Sequence, residues 1–204
     1  MASTGIVDVL GTASVSLKVD FLVMQVVVEE ESNDPAAAQK ALMEKSQEVL
    51  QYLRQQEAVQ EVKTQTLQLR PMARGYQNKE KSYTARQTIS FKLMNTAQYG
   101  SVVPELLKKG ITGIGQVQFK SNEEVKYQQI LLKRALLNAR EKAVLLAGEL
   151  GQSIGKAVFI SDRISTGNPR PMAELKTDGG SSMPSIEVGN IALNATVNVH
   201  FQLR

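Results

Sequence analysis

The residue with the widest chemical range in this sequence is His200, its single histidine. A histidine near neutral pH can act as a general base or as a metal ligand. Both roles need partners: an acid and a nucleophile for catalysis, or further ligands at a regular spacing for a metal. His200 stands apart from any acidic residue along the sequence, and no cluster of metal ligands surrounds it. We therefore expect a surface histidine on the outer face of a strand.

Two further segments invite a chemical interpretation. The run Gly110-Ile111-Thr112-Gly113-Ile114-Gly115 is rich in glycine, as phosphate-binding loops are. Phosphate loops lead from a strand into a helix, whereas this run leads from a helix into a strand. The acidic run Glu29-Glu30-Glu31 would suit a cation, but it equally suits a solvated strand end before a turn. The sequence thus predicts no catalytic, cofactor-binding or metal-ligating residue, and we expect a protein that is not an enzyme.

The composition excludes several classes of protein. Apolar residues make up 42% and charged residues 22% of the 204 residues, an ordinary globular mixture. The net charge of +4 is spread among acidic residues without a long basic run, which argues against nucleic acid as a partner. Cysteine is absent, so disulfides and cysteine metal sites are excluded. No apolar run approaches the roughly 20 residues of a membrane-spanning helix, and we expect no transmembrane segment.

The first residues, Met1 to Gly5, show no signal peptide. Two interpretations stay open: a cytoplasmic protein, or the mature part of an exported protein whose signal peptide has been removed. The lack of cysteine is compatible with either compartment.

Alternation of apolar and polar residues predicts strands at both ends of the chain. From Val7 to Val19 the odd positions are apolar or small and the even positions are mostly polar, which indicates a strand with one buried face. The last segment, Ile191 to Leu203, alternates most regularly of all. Other strands are predicted over residues 22–28, 59–72, 83–93, 113–119 and 154–164.

Three helices are predicted between these strands. The first begins at Asn33-Asp34-Pro35, where Asp34 can accept from free backbone N–H groups and proline suits the first turn. The second follows Asn95 and ends at Gly110, and Pro104 inside it predicts a kink or a split.

The third helix is the longest. The capping-box pattern Ser121-Asn122-Glu123-Glu124 opens it and Gly151 ends it. Alanines recur in it at every fourth position and therefore share one face, which indicates close packing against a sheet. These alanines are Ala135, Ala139, Ala143 and Ala147.

The order of elements is ββαββ followed by αβαββ. It predicts an α+β fold with antiparallel or mixed sheets and one long, alanine-striped helix packed on a sheet. The chain can form a single unit over 1–204, with two α+β subdomains, 1–94 and 95–204, as the suggested division. The loop from Ser165 to Gly189 is rich in Ser, Gly and Pro, and loops of that length are usually functional, interfacial or disordered.

Four segments together resemble the SIMPL-domain family, and the resemblance covers almost the whole chain. The most specific is the block from Arg134 to Lys156, which is similar to the family pattern A-x-x-x-A-x-x-x-A-x-x-L-G-x-x-x-G. The others are Gly11-Thr12-Ala13 with Val15, Thr64 through Pro71, and Tyr83-Thr84-Ala85. The closing strand, Val188 to Phe201, is similar as well.

The resemblance implies where in the cell the protein is located, but it does not imply a reaction that the protein catalyses. Members of the family are usually exported to the periplasm or cell envelope, and some form ring-like or channel-like homo-oligomers. A link to stress tolerance has been suggested without a mechanism, and the family has no agreed catalytic residues. For this chain the resemblance implies a periplasmic or envelope protein that forms homo-oligomers and has no known cofactor.

Three functions follow as hypotheses. The first is a self-assembling envelope protein, because no catalytic or metal-ligating residues are predicted and strand edges offer assembly surfaces. The second is a binding module for a small ligand or an envelope polymer, which requires a sizeable apolar pocket with a few polar groups. The third is an enzyme, which requires clustered titratable groups in a cleft.

Overall fold

The computed structural model describes residues 5–73, 81–167 and 189–204. Over these residues the chain forms strands in antiparallel sheets and three α-helices, which confirms the α+β fold. The strands are β1 (Ile6–Lys18), β2 (Phe21–Ser32), β3 (Val59–Thr64), β4 (Gln68–Ala73), β5 (Lys81–Leu93), β6 (Gly113–Lys120), β7 (Ile154–Thr166) and β8 (Asn190–Leu203). The helices are α1 (Pro35–Gln55), α2 (Tyr99–Lys108) and α3 (Glu124–Glu149).

The chain divides into two compact units at other places than the suggested 1–94 and 95–204. Among the described residues, unit 1 combines 5–19, 121–167 and 189–204, and unit 2 comprises 20–73 and 81–120. The physical reason is the antiparallel pairing of β1 with β8, which runs from Ile6 opposite Gln202 to Lys18 opposite Asn190. This pairing draws both ends of the chain into one unit.

Unit 1 is a three-stranded antiparallel sheet with α3 on one face. The strand order is β1-β8-β7, so β8 is central and β1 and β7 are the edges. The odd positions of β8 from Ile191 to Phe201 are buried, as the alternation predicted. The four alanines of α3 are also buried, together with Leu131, and α3 packs mainly on β1 and β8.

The contact between α3 and β1 is closest at Gly11. A Cβ placed on this glycine would lie 2.0 Å from the carbonyl oxygen of Ala135 and 2.6 Å from the backbone nitrogen of Ala139. The backbones of strand and helix therefore meet without a side chain between them. Only glycine leaves room for this contact, and only a small residue fits at position 139.

Side chains of α3 also bond to the backbone of the edge strand β1. The Thr12 N–H donates to Oδ1 of Asn138 at 3.2 Å, and Nζ of Lys142 donates to the Leu10 carbonyl at 2.8 Å. Asn138 and Lys142 are four residues apart and so lie on the same side of the helix. They satisfy backbone groups that an edge strand would otherwise leave for another chain.

Unit 2 is built on an antiparallel sheet of order β3-β5-β2-β6, with β4 also paired to β5. Helix α1 packs on β2, β5 and β3 through its buried side. The strand predicted over 59–72 is two strands, because the register against β5 gains a residue between Thr64 and Gln68. The Gln65 N–H bonds to the Thr88 carbonyl at 2.9 Å within this interruption.

Most helix ends follow their sequence signals, but α3 begins at Glu124, and its N-cap residue Glu123 makes no side-chain capping bond. Oδ1 of Asp34 accepts from the Ala36 N–H at 3.0 Å, and Glu124 accepts from the Ser121 N–H at 3.0 Å. Gly110 and Gly151 adopt φ values of +95° and +69°, which favour glycine after a helix. Pro104 does not split α2, which is continuous from Tyr99 to Lys108.

Replacing Gly11 by alanine tests the backbone contact. The new methyl group would overlap Ala135 and Ala139, so helix and strand must separate, and we expect a loss of about 1–3 kcal/mol in the free energy of unfolding. Urea unfolding followed by circular dichroism measures it. Gly148→Ala is the control, because a Cβ there meets nothing within 4 Å, and alanine should stabilise α3 by about 0.5–1 kcal/mol. An unchanged midpoint for Gly11→Ala would contradict the contact.

Asn138→Ala tests the bond to the edge of β1. The Thr12 N–H loses its acceptor, and we expect unfolding to become easier by about 1 kcal/mol. Hydrogen exchange at the Thr12 amide should accelerate at the same time. Gln129→Ala, at an exposed position of α3, is the control and should leave that amide unchanged.

Candidate functional site

His200 lies on the face of the unit 1 sheet that is turned away from α3. It sits in a row with Asp8 of β1 and Phe159 of β7. Its Nε2 is 3.4 Å from Oδ1 of Asp8, and its ring centroid is 4.7 Å from that of Phe159. The histidine is thus a surface residue, as expected, but it has an acidic partner that lies 192 positions away and could not be recognised in the sequence.

The segment around Ser153 contains a serine pattern that the prediction of no catalytic residue did not include. Residues 151–155 read G-Q-S-I-G, the spacing of a nucleophile elbow. An elbow turns from a strand into a helix, whereas this segment connects the end of α3 to the start of β7. Ser153 exchanges backbone hydrogen bonds with Arg204, four residues from His200 along β8 and so roughly 13 Å away at about 3.3 Å per residue. That separation is too long for direct proton transfer.

Two of the three glutamates at the end of β2 have cationic partners. Glu30 forms an ion pair with Lys45, and Glu29 lies 4.0 Å from the guanidinium of Arg86. Among the described residues, no group of three or more histidine, aspartate or glutamate side chains could hold a metal ion. The run is therefore the solvated, ion-paired strand end that was the second interpretation.

The glycine run from Gly110 to Gly115 also has a structural role. Gly110 ends the segment after α2, and the Thr112 N–H bonds to the Val27 carbonyl at 2.8 Å. Gly113 then begins β6. The direction is from helix to strand, as predicted, so the amides do not surround an anion at a helix N-terminus.

Titratable side chains with shifted pKa values lie in unit 2, in ordinary surface surroundings. Burial, and secondarily the charge of Glu105, raises the pKa of Tyr52. A hydrogen bond from Lys92 lowers the pKa of Glu61, and a hydrogen bond to Glu105 raises the pKa of Lys108. Glu61 and Lys108 are exposed partners in surface ion pairs, which is common outside active sites.

Helix α1 of unit 2 borders surface hollows, of which two are lined by described residues as follows. The larger, of about 410 Å³, runs along one exposed side of α1. Its described lining is Ala36, Gln39, Lys40, Met43, Glu44 and Gln47. The smaller, of about 250 Å³, is lined by polar residues of α1 around Tyr52 and by Lys109. Neither brings together the groups of a recognisable reaction.

Strand β7 leaves apolar side chains exposed at the other edge of the unit 1 sheet. Val158, Phe159 and Ile160 are 49%, 46% and 58% exposed. Among the described residues β7 pairs only with β8, and α3 lies mainly over the other two strands. We call Val158, Phe159 and Ile160 with the unpaired side of β7 the β7 edge. The loop predicted from Ser165 begins later than expected, because Ser165 and Thr166 belong to β7 and pair with β8. Residues 168–188 lie outside the described part of the chain.

The side of α3 opposite the alanines carries a second exposed surface. Leu137 and Val144 are 57% and 52% exposed, and Lys133, Arg134 and Arg140 are exposed beside them. The three cations thus share the solvent-exposed side of this helix with the leucine and the valine. We call these five residues, with half-buried Ile130, the α3 outer face.

None of the helices in the described part of the chain is both long enough and apolar enough to cross a bilayer.

Comparison with known proteins identifies the family. The SIMPL family model, described as "Protein of unknown function (DUF541)", matches residues 7–201. The "Uncharacterized protein YggE" of Escherichia coli K12 is 26% identical over 199 residues, which cover 95% of this chain and 81% of that protein. The "26 kDa periplasmic immunogenic protein" of Brucella melitensis is 26% identical over 128 residues, 60% of this chain and 51% of that protein. The chain belongs to the SIMPL family.

Proposed function

We propose that this chain is a non-enzymatic protein of the cell envelope that assembles with copies of itself through the β7 edge. The proposal rests on a difference between the two edge strands of the unit 1 sheet, β1 and β7. Asn138 and Lys142 bond to the backbone of β1, whereas among the described residues β7 has no second strand beside it and exposes its apolar side chains.

An exposed edge with apolar residues is a template for another strand. Folded proteins usually blunt such edges with charges, proline or a covering element. Val158-Phe159-Ile160 carries no charge and no proline, although charged residues flank it and the register against β8 shifts between Ala157 and Phe159. A second copy of the chain always brings its own unpaired edge, so self-association is the simplest way to satisfy β7.

The periplasm is the compartment that best fits the family. The Brucella relative is named a periplasmic protein, and the absence of cysteine is compatible with an oxidising compartment. We extend the same location to this chain. A contribution to stress tolerance, carried by the assembled form rather than by a reaction, is part of the same proposal.

The alternative is a binding module for a small ligand or an envelope polymer. Such a module encloses most of its ligand in an apolar cleft with a few polar groups. The larger hollow takes its described lining from one side of a single helix and so gives little enclosure. The exposed apolar residues of β7 favour a protein partner instead.

Light scattering after size-exclusion chromatography tests assembly over the micromolar range. We expect a mass of two or more chains for the wild type. Ile160→Lys should shift the protein towards the monomer, because a charge on an edge strand blocks pairing. Met43→Lys is the control, since Met43 is similarly exposed on α1 of unit 2. A wild type that stays monomeric throughout, or a Met43→Lys variant that dissociates equally, would contradict the proposal.

Fractionation of cells that express the full native reading frame tests the compartment. We expect the protein in the osmotic-shock fluid or the envelope fraction, together with a periplasmic marker enzyme. Recovery with a cytoplasmic marker would instead support the cytoplasmic alternative.

A further inference from the structure

The α3 outer face combines an apolar line with flanking cations. Ile130, Leu137 and Val144 recur every seven residues, nearly two full turns, and so form a line along the helix. The line lies opposite the buried alanines, on the side away from the sheet. It is more than 20 Å long, since 14 residues at about 1.5 Å each separate its ends.

Basic residues stand on both sides of this line. Lys133 and Arg140 lie on one side and Arg134 on the other, at the three- and four-residue spacings that place helix side chains next to each other. All three are exposed, and none forms an ion pair within the described residues. Glu141 is the one acidic residue in this stretch, so the face carries a net positive charge.

The charge argues against a second copy as the occupant of this face. Two such faces pressed together would bring lysine and arginine of one chain against those of the other. Like charges in contact oppose association, and lysine is depleted from the centres of protein interfaces. An occupant that accepts both apolar side chains and several cations must be negatively charged and apolar just beneath its surface.

We propose that the α3 outer face docks onto an anionic lipid surface. The helix would lie flat, with Leu137 and Val144 at the boundary between headgroups and acyl chains. The long stems of Lys133, Arg134 and Arg140 would lie along the lipid while their charges reach phosphate groups, as in peripheral helices that lie in the interface. Because the helix is fixed on its sheet, contact is shallow and reversible, and it depends on ionic strength.

The proposed contact of the α3 outer face with lipid is independent of the proposed assembly through the β7 edge. The β7 edge holds none of the residues of the α3 outer face. Failure of one proposal therefore leaves the other standing, and each has its own readout: oligomer mass for the edge and lipid partition for the helix.

Vesicle flotation tests the proposal with the whole protein. We expect it to float with vesicles of phosphatidylglycerol and phosphatidylcholine at low salt, and to stay behind with phosphatidylcholine alone. Replacing Lys133, Arg134 and Arg140 together by glutamine should lower the partition coefficient by about 100-fold, since each cation near an anionic surface contributes roughly fivefold. Leu137→Gln with Val144→Gln should lower it as well.

Matched variants separate the helix from total charge. Lys40→Gln, Arg54→Gln and Lys109→Gln together remove the same charge from exposed positions of unit 2 and should leave partition nearly unchanged. Circular dichroism and oligomer mass check that each variant keeps its fold and assembly. The proposal is overturned if the wild type ignores anionic vesicles, if the unit 2 variant loses as much binding, or if the α3 variants dissociate the oligomer instead.

Discussion

The contact on which unit 1 depends is the direct approach of α3 to β1 at Gly11. A methyl group at this position would lie only 2.0 Å from the Ala135 carbonyl oxygen, so the helix backbone rests on the strand backbone. The alanines of α3 on this side of the helix are all buried against the sheet. Because α3 lies close to β1, the side chains of Asn138 and Lys142 can reach the backbone of β1. Gly11 thus determines how closely α3 approaches the sheet, and this approach allows α3 to protect the edge strand β1.

The same constraint explains why β7, at the other edge of the sheet, is exposed. A helix with its side chains is roughly 10 Å wide, and neighbouring strands are about 4.8 Å apart. A helix held close to β1 and β8 therefore covers these two strands and leaves β7 largely uncovered, as the exposure of Val158 and Ile160 records. The exposure of β7 follows from the geometry of one helix on a three-stranded sheet. A strand from a partner would cover the apolar side chains of β7 that α3 does not reach.

Local patterns in the sequence were sufficient to predict most elements, because alternation and helical spacing record the immediate surroundings of each residue. The alternation in β8 and the alanine spacing in α3 gave both the element and its buried face. Three features depend on residues distant in sequence and could not be obtained in this way: the pairing of β1 with β8, the resulting division into units, and the partnership of His200 with Asp8. The exposure of Leu137 was also hidden, because α3 carries apolar side chains on several sides, and only the position of the sheet shows which of them are covered.

The two exposed surfaces of unit 1 can act together because they point in different directions. A strand added at the β7 edge extends the sheet within its own plane, whereas the α3 outer face looks away from that plane. Copies related by a two-fold axis perpendicular to the sheet would carry their α3 helices on the same side. Three cations per copy supply only ~3 kcal/mol of attraction to an anionic surface, which is weak alone. Joined copies add such contacts at a high effective concentration, so assembly would turn a transient lipid contact into a lasting one.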